Sequence, residues 1–161
     1  MTSADFTNLW RQVAAQFSRG PDSIHGPAHW KRVEQHGQLL ATRTGADITV
    51  VRLFALFHDA QRINKSVDHG HGIRGAELAA HLRGSAFDIS DEAFAVLHAA
   101  CAGHTDLRHA NDPTIGTCWD ADRLDLGRVG IIPNEEFMST SYGQELARQQ
   151  QITHREARNV R

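Results

Sequence analysis

The segment "LFALFHDAQR", residues 53–62, places a histidine and an aspartate directly after five consecutive apolar residues, Leu53 to Phe57. An ionised carboxylate in apolar surroundings is costly unless it is paired with a positive charge or coordinates a metal ion. His58 and Asp59 therefore raise the question whether other segments of the chain supply ligands for one shared ion.

The composition is typical of a globular protein. The chain has 161 residues, of which 40% are hydrophobic, enough for one domain with a proper core. The formal net charge of −2 argues against a strongly basic, non-specific nucleic-acid binder. No apolar run approaches the roughly 20 residues of a membrane span, and the N-terminus "MTSADFTNLW" lacks the basic-then-apolar pattern of a signal peptide. With two cysteines, Cys101 and Cys118, we expect a cytoplasmic protein without a disulfide framework.

Hydrophobic spacing and helix-boundary residues predict an almost entirely helical chain, because no alternating pattern is strong enough to form a sheet. We expect one compact all-α domain of about six or seven helices over residues 1–161. The predicted helices cover about residues 4–18, 27–44, 48–61, 72–83, 91–103, 114–126 and 140–156. Long polar loops separate the first and second, the third and fourth, and the fifth and sixth of them, and such loops often carry function.

Three of these helices carry residues that could ligate a metal ion. His29 lies in the first turn of the second helix, His58 and Asp59 end the third, and Asp122 lies on the apolar face of the sixth. This mixed set of imidazoles and carboxylates suits Mn, Fe, Ni, Co or Zn better than Ca or Mg. Such an ion lowers the pKa of bound water and polarises a phosphoryl oxygen. Taken singly, each residue has an ordinary structural alternative, such as an ion pair between Asp122 and a neighbouring arginine.

Five segments resemble the HD-domain metal-dependent phosphohydrolase superfamily when they are taken in order: "HGPAHWKRV", "LFALFHDAQR", "DHGHGIRGAELAAHL", "CAGHTD" and "WDADRLDLGRVG". The resemblance covers about residues 22–132, and it is greatest to small uncharacterised bacterial HD-domain proteins that carry "DADRLD". It implies a helical HD-type domain in which one metal ion is bound by His29, His58, Asp59 and Asp122. Asp120 and Asp125 are rivals for the last position, and the match to "DRL" favours Asp122.

Several members of the superfamily bind two ions. By this resemblance, Asp59 would bridge the ions, and His71 and His104 would be the added ligands. The alternative is that these two histidines contact phosphate or lie in loops. The expected cofactor is a divalent metal, Mn, Fe, Ni, Co, Zn or Mg, as one ion or two. His69 and His98 are weaker candidates for ligands of a second ion. The histidines expected on the surface are His81, His109 and His154.

Positively charged side chains near the motifs predict a phosphate site. Arg62 follows His58 and Asp59, the HD pair, by three residues, and Lys65 is close behind. Arginine suits bidentate contact with phosphate, although each arginine could instead form a surface ion pair. His25 precedes the second helix and is expected to reach the substrate. The predicted substrate-binding residues are His25, Arg62, Lys65, Arg74 and Arg123, and the predicted catalytic residues are Asp59, Arg62, His71 and His104.

These observations predict a metal-dependent phosphohydrolase. We expect it to cleave a phosphomonoester or phosphodiester of a nucleotide or other small phosphorylated metabolite through a metal-bound water. The alternatives are an HD-fold di-iron oxygenase and a non-catalytic, metal-stabilised binding or regulatory domain. Some nucleotide hydrolases of the superfamily have an acid where this chain has Arg62, and the GYP motif of the cyclic-dinucleotide branch is absent. We expect no nucleic-acid or membrane partner, and the oligomeric state stays open.

Overall fold

The structure is a computed structural model that describes residues 3–20 and 22–159. Its seven α-helices are α1 (Ser3–Ala15), α2 (Pro27–Thr44), α3 (Ile48–Phe57), α4 (His71–Leu82), α5 (Asp91–Gly103), α6 (Pro113–Leu124) and α7 (Ser141–Asn159). Short 3₁₀ turns occupy Asp125–Val129 and Glu135–Phe137. Within the described residues there is no β-strand, and the prediction of an all-α fold with six or seven helices is confirmed.

Capping residues in the sequence determine where several helices begin. The Asp47 carboxylate accepts hydrogen bonds from the backbone N–H groups of Thr49 and Val50 at the start of α3. Asp112 caps α6 and Ser90 caps α5 in the same way. Side-chain caps of this kind satisfy backbone donors that the first helical turn leaves unpaired. They explain the starts of α3, α5 and α6, each of which lies within one residue of the predicted start.

Helix α3 is the centre of the fold. Its residues from Val50 to Phe57, apart from Arg52, are buried, and it packs against α1, α2, α4, α5 and α6. A helix that is apolar nearly all round is stable only when other helices surround it. The carboxyl end of α3 therefore lies inside the molecule, and the HD pair that follows it is buried with it.

The end of α3 was predicted wrongly, at residue 61 instead of Phe57. The backbone forms a turn over residues 58–61, in which the Ala60 N–H donates to the Phe57 carbonyl and the Arg62 N–H donates to the Asp59 carbonyl. Consecutive residues of a continuing helix would project about 100° apart. The turn removes that restriction, so His58 and Asp59 can both face one centre.

The described helices share one buried hydrophobic cluster that runs from Phe6 of α1 to Ala147 of α7. The assignment of the whole chain to a single domain, with its motifs in residues 22–132, stays a prediction. Among the described helices, none combines the length and the apolar character needed to cross a membrane.

Candidate metal centre

Five helix ends meet at one buried point, and each contributes side chains that can ligate a metal. His29 lies in the first turn of α2, and His71 is the first residue of α4. The HD pair follows α3, His104 follows α5, and Asp122 lies in the last turn of α6. The sequence thus brings polar groups to the interior where helices end, rather than along their apolar faces.

The first cluster consists of His29, His58, Asp59 and Asp122. The Nε2 atom of His29 lies 3.1 Å from His58 Nε2, 3.6 Å from Asp59 Oδ2 and 3.2 Å from Asp122 Oδ1. His58 Nε2 lies 3.8 Å from each of the same two carboxylate oxygens. Ligand atoms that are each about 2 Å from one ion lie roughly 3 to 4 Å apart. The ligand atoms of His29, His58 and Asp59 all lie within 4.8 Å of one another and suit one metal ion, and Asp122 adds an oxygen close to both histidines.

The second cluster uses the other oxygen of Asp59. Its Oδ1 lies 3.1 Å from His71 Nε2 and 3.9 Å from His104 Nε2, and the two imidazole nitrogens are 3.0 Å apart. The three side chains are buried and also have the spacing of metal ligands. Asp59 thus offers one oxygen to each cluster, as a carboxylate that bridges two ions would.

The four histidines share one orientation, in which Nδ1 faces an acceptor and Nε2 faces the centre. A backbone carbonyl and a carboxylate both accept hydrogen bonds, so Nδ1 carries the hydrogen and the Nε2 lone pair of the neutral ring is free. While the rings are neutral, the pairs of nitrogens at 3.0 and 3.1 Å are acceptors facing acceptors, an arrangement that a proton or a metal cation between them would stabilise. The Nδ1 acceptors are Asp125 Oδ2 for His29, the Phe54 and Ala55 carbonyls for His58, the Asp68 carbonyl for His71 and the Cys101 carbonyl for His104.

The charge states of the first cluster favour a bound cation. Burial lowers the pKa of His58 to about 3, so its imidazole is neutral at neutral pH and can act as a ligand. Burial by itself would raise the pKa of Asp59 and of Asp122, but hydrogen bonds and charges of the neighbouring histidines outweigh it and lower both pKa values. Two ionised carboxylates beside the neutral imidazole of His58 are donors that favour a cation.

The surroundings of His29 and His104 favour the protonated, positively charged form of their imidazoles. Burial opposes protonation of His29, but hydrogen bonds with Asp122 and Asp125 raise its pKa. Burial likewise opposes protonation of His104, but the nearby carboxylates of Asp59 and Asp122 raise its pKa. A metal ion bound here would replace the protons that these carboxylates attract.

The glycines of "HGIRG" allow α4 to approach closely. A Cβ atom at Gly72 would overlap the Cys101 carbonyl oxygen of α5, and one at Gly75 would overlap the Phe57 carbonyl oxygen at the end of α3. Both positions lie on buried faces of α4. The close approach brings His71 to His104 and Asp59, which explains why glycines follow the histidine at this spacing.

The three aspartates of "DADRLD" have three different surroundings. Asp122 Oδ1 faces the His29 and His58 nitrogens. Asp125 binds the other nitrogen of His29 and also Arg32, so it orients the His29 ring and does not face the first cluster. Asp120 is buried elsewhere, where its carboxylate accepts hydrogen bonds from the residues at 139 and 140.

Two of the predicted substrate-binding residues lie beside Asp59. His25 Nδ1 is 2.9 Å from Asp59 Oδ2, and the Trp30 indole N–H donates to the His25 carbonyl and fixes this segment before α2. Arg62 Nη1 lies 3.4 Å from Asp59 Oδ1. Lys65 is exposed in the following loop. The roles of these residues in substrate binding stay predictions.

The two other predicted phosphate-binding arginines are already engaged in the fold. Arg74 donates to the Asp68 carboxylate and to the Gln61 and His69 carbonyls. The guanidinium of Arg123 donates to three backbone carbonyls, those of Leu107, Arg108 and Phe137. Their proposed contact with phosphate stays a prediction that would require these hydrogen bonds to be exchanged. The histidines at 69, 81, 98, 109 and 154 are exposed.

Two supporting residues were missed by sequence reasoning. Thr105 Oγ1 lies 3.3 Å from His71 Nε2, at the edge of the second cluster. Asp68 accepts from the Ile63 N–H and from Arg74, and its carbonyl accepts from His71. Their positions in the sequence could have indicated them, because Thr105 follows His104 and Asp68 directly precedes "HGHG".

The helical fold with buried histidine–aspartate clusters at its helix ends is similar to that of HD-type domains. A comparison with solved structures finds a predicted HD superfamily hydrolase from an uncultured Thermotogales bacterium, with a TM-score of 0.74 and 25% sequence identity. The match covers 98% of this chain and 90% of that chain. No protein-family model matches the sequence, and no curated protein matches it. The resemblance to the HD superfamily predicted from the sequence is confirmed in fold and in metal-binding clusters.

Proposed function

We propose that the protein is a metal-dependent phosphohydrolase that acts on a nucleotide or another small phosphorylated metabolite. The observation that carries this proposal is the pair of buried clusters that share Asp59, set in a fold similar to that of a predicted hydrolase. A purely structural role would not require two clusters of ligand atoms with their lone pairs facing one another.

The donor set fits a divalent transition metal. His29, His58, Asp59 and Asp122 would hold the first ion, and Asp59, His71 and His104 would hold a second. Mixed nitrogen and oxygen ligands favour Mn, Fe, Co, Ni or Zn over Mg. When bound, such an ion activates water and stabilises negative charge on a phosphoryl group.

The charges of the site suit an anionic substrate. Asp59 and Asp122 bring two negative charges, which one divalent ion would neutralise. The remaining carboxylate, Asp125, is already paired with Arg32 at 2.7 Å. Arg62 then adds a positive charge next to Asp59, where a guanidinium can bind phosphate oxygens. The net field at the centre would therefore attract phosphate rather than repel it.

Access and proton transfer can be assigned to residues at the edge of the centre. Among the first-cluster ligands, Asp122 is the most exposed, with 22% of its side chain accessible, so we place substrate entry on its side. His25 is 13% exposed and uses Nδ1 to contact Asp59. Its other nitrogen, Nε2, makes it a candidate to hold or transfer the proton that a leaving group needs.

The second cluster also keeps the di-iron oxygenase alternative under consideration, because two adjacent sites with imidazole ligands suit iron. The two functions differ in a measurable way. An iron-loaded protein that consumes oxygen, and releases no phosphate from esters, would replace the proposed function.

The decisive experiment measures phosphate release from a panel of nucleotides, sugar phosphates and phosphodiesters. Metal-free protein is reloaded separately with Mn, Fe, Co, Ni, Zn and Mg. We expect release with at least one ester only after metal loading, and its loss in His58→Ala. His81→Ala, which removes an exposed histidine, is the matched control and should keep wild-type activity. Metal-loaded wild type that hydrolyses no ester in the panel would contradict the proposal.

A further inference from the structure

The guanidinium of Arg62 lies against the second cluster. Its Nη1 atom is 3.3 Å from His71 Nε2 and 3.4 Å from Asp59 Oδ1. These are two of the three atoms that would ligate a second metal ion. Its Nη2 atom donates to the Ser66 carbonyl at 2.7 Å, which holds the side chain in this position.

The Nε2 atom of His71 can serve only one of the two cations. Its ring nitrogen Nδ1 lies 2.6 Å from the Asp68 carbonyl and must carry the hydrogen, because a carbonyl only accepts. The neutral ring then has a single lone pair, on Nε2. A guanidinium has donors and no acceptor, so Arg62 uses that lone pair as its hydrogen-bond acceptor. A metal ion would need the same lone pair.

The positive charge of Arg62 also opposes the binding of a second ion. A divalent ion ligated by Asp59 Oδ1 and His71 Nε2 would lie within a few ångströms of Arg62 Nη1, and like charges at that distance repel strongly in a buried site. The guanidinium is also poorly satisfied where it is. In the part of the chain that the structure describes, Arg62 Nε is a buried nitrogen without a hydrogen-bond partner. A buried donor without a partner destabilises this position.

We infer that Arg62 and a second metal ion compete for His71 and Asp59, so that Arg62 determines whether the protein holds one ion or two. In the one-ion state the guanidinium takes the place of the second cation. In the two-ion state it leaves His71 and Asp59. This inference rests on the metal centre of the proposed function, but it does not depend on which reaction the centre catalyses.

The test is a metal titration of the folded protein. Metal-free wild type, Arg62→Met and His71→Ala are each dialysed against increasing Mn²⁺, and the bound ions are counted by elemental analysis. Losing a charge-assisted hydrogen bond that opposes the ion should raise second-ion affinity about 10- to 100-fold in Arg62→Met. The first-ion affinity should rise less than the second-ion affinity, because Arg62 contacts Asp59 Oδ1 and His71 Nε2 of the second cluster and not Asp59 Oδ2 of the first. His71→Ala should lose the second ion.

Two further variants keep the result interpretable. Lys65→Met removes a positive charge from the same loop, and its exposed side chain should leave second-ion affinity unchanged. Arg62→Lys keeps the charge with a single ammonium group and should give an intermediate affinity, which also covers the case in which Arg62→Met does not fold. Thermal melts establish that each variant is folded before the titration.

Several outcomes would overturn the inference. They are a second-ion affinity in Arg62→Met within about twofold of wild type, no second ion in that variant, or an equal gain in Lys65→Met. Failure of the proposed function is a separate result. If Arg62→Met binds two ions tightly but neither protein hydrolyses any ester, the competition stands and the phosphohydrolase proposal falls.

Discussion

Replacing Gly72 by alanine should disrupt the second cluster while leaving the first in place. Gly72 is the second residue of α4, which packs along α5. An alanine Cβ at this position would overlap the Cys101 carbonyl oxygen and would lie 2.9 Å from His104 Nδ1. These two atoms form the hydrogen bond that orients His104. The added methyl group would therefore disturb the hydrogen bond that orients His104, a predicted ligand of the second ion.

The size of the effect follows from this overlap. The carbonyl belongs to the backbone, so α4 and α5 must separate by roughly 1 Å to restore a contact of about 3.5 Å. Overpacking of this kind costs about 1–3 kcal/mol, and the better helix propensity of alanine offsets up to about 1 kcal/mol of it. The net loss is therefore between about 0 and 3 kcal/mol, which lowers the melting temperature of a protein of this size by up to about 12 °C.

The assay combines thermal melts with Mn²⁺ titration of metal-free protein. We expect Gly72→Ala to lose affinity for the second ion, because the separation moves His71 away from His104, and to keep the first ion. Gly127→Ala is the matched control, since a Cβ there would meet no atom within 4 Å and should change neither property. A Gly72→Ala protein with the wild-type melting temperature and full second-ion affinity would refute the packing argument.

Three further predictions concern the first ion and its surroundings. Chelation should lower the melting temperature of the wild type, because an ion that binds only the folded chain stabilises it by mass action; equal melts before and after verified metal removal would contradict this. Asp125→Ala removes the partner of His29 Nδ1 and should weaken first-ion binding about 10- to 100-fold, as measured by competition with a metal-binding dye, whereas unchanged binding would mean that other contacts orient the ring. Asp120→Ala should instead cost about 2–4 kcal/mol in denaturant unfolding, because Ser139 and Thr140 lose their acceptor; lost metal with unchanged stability would place Asp120 in the metal centre.

The helices could be predicted from the sequence because their determinants are local. Gly45 ends α2 in the left-handed region, with a φ of 74°, as its position after the apolar stripe predicted. The end of α3, in contrast, is determined by a contact with a residue that is distant in the sequence. Gly75 of α4 lies against the Phe57 and His58 carbonyls, so a distant helix packs where α3 would otherwise continue. Nothing in residues 53–62 encodes that contact.

The surroundings of the candidate site were harder to predict than its ligand types. The ligand types stand in short motifs, but the groups that orient them are backbone carbonyls or residues far along the chain. His29 and Asp125, for example, are 96 residues apart. The positively charged side chains were hard to predict for the same reason. Arg62 and Arg123 both lie near a motif in the sequence, but Arg62 contacts the centre, whereas the guanidinium of Arg123 donates to backbone carbonyls of the fold.

The three aspartates of "DADRLD" show which ligand assignments helix geometry can and cannot predict from the sequence. Asp120 and Asp122 are two residues apart on α6, so they project about 200° from one another and cannot both face one centre. The helical wheel therefore separates these two, although it does not say which one faces the ligands. Asp122 and Asp125 differ by about 60° on an ideal helix, and periodicity leaves both as candidates. The difference arises because α6 ends at Leu124 and a 3₁₀ turn begins at Asp125. That turn carries Asp125 to the outer nitrogen of His29, and Asp122 keeps the side that faces Nε2.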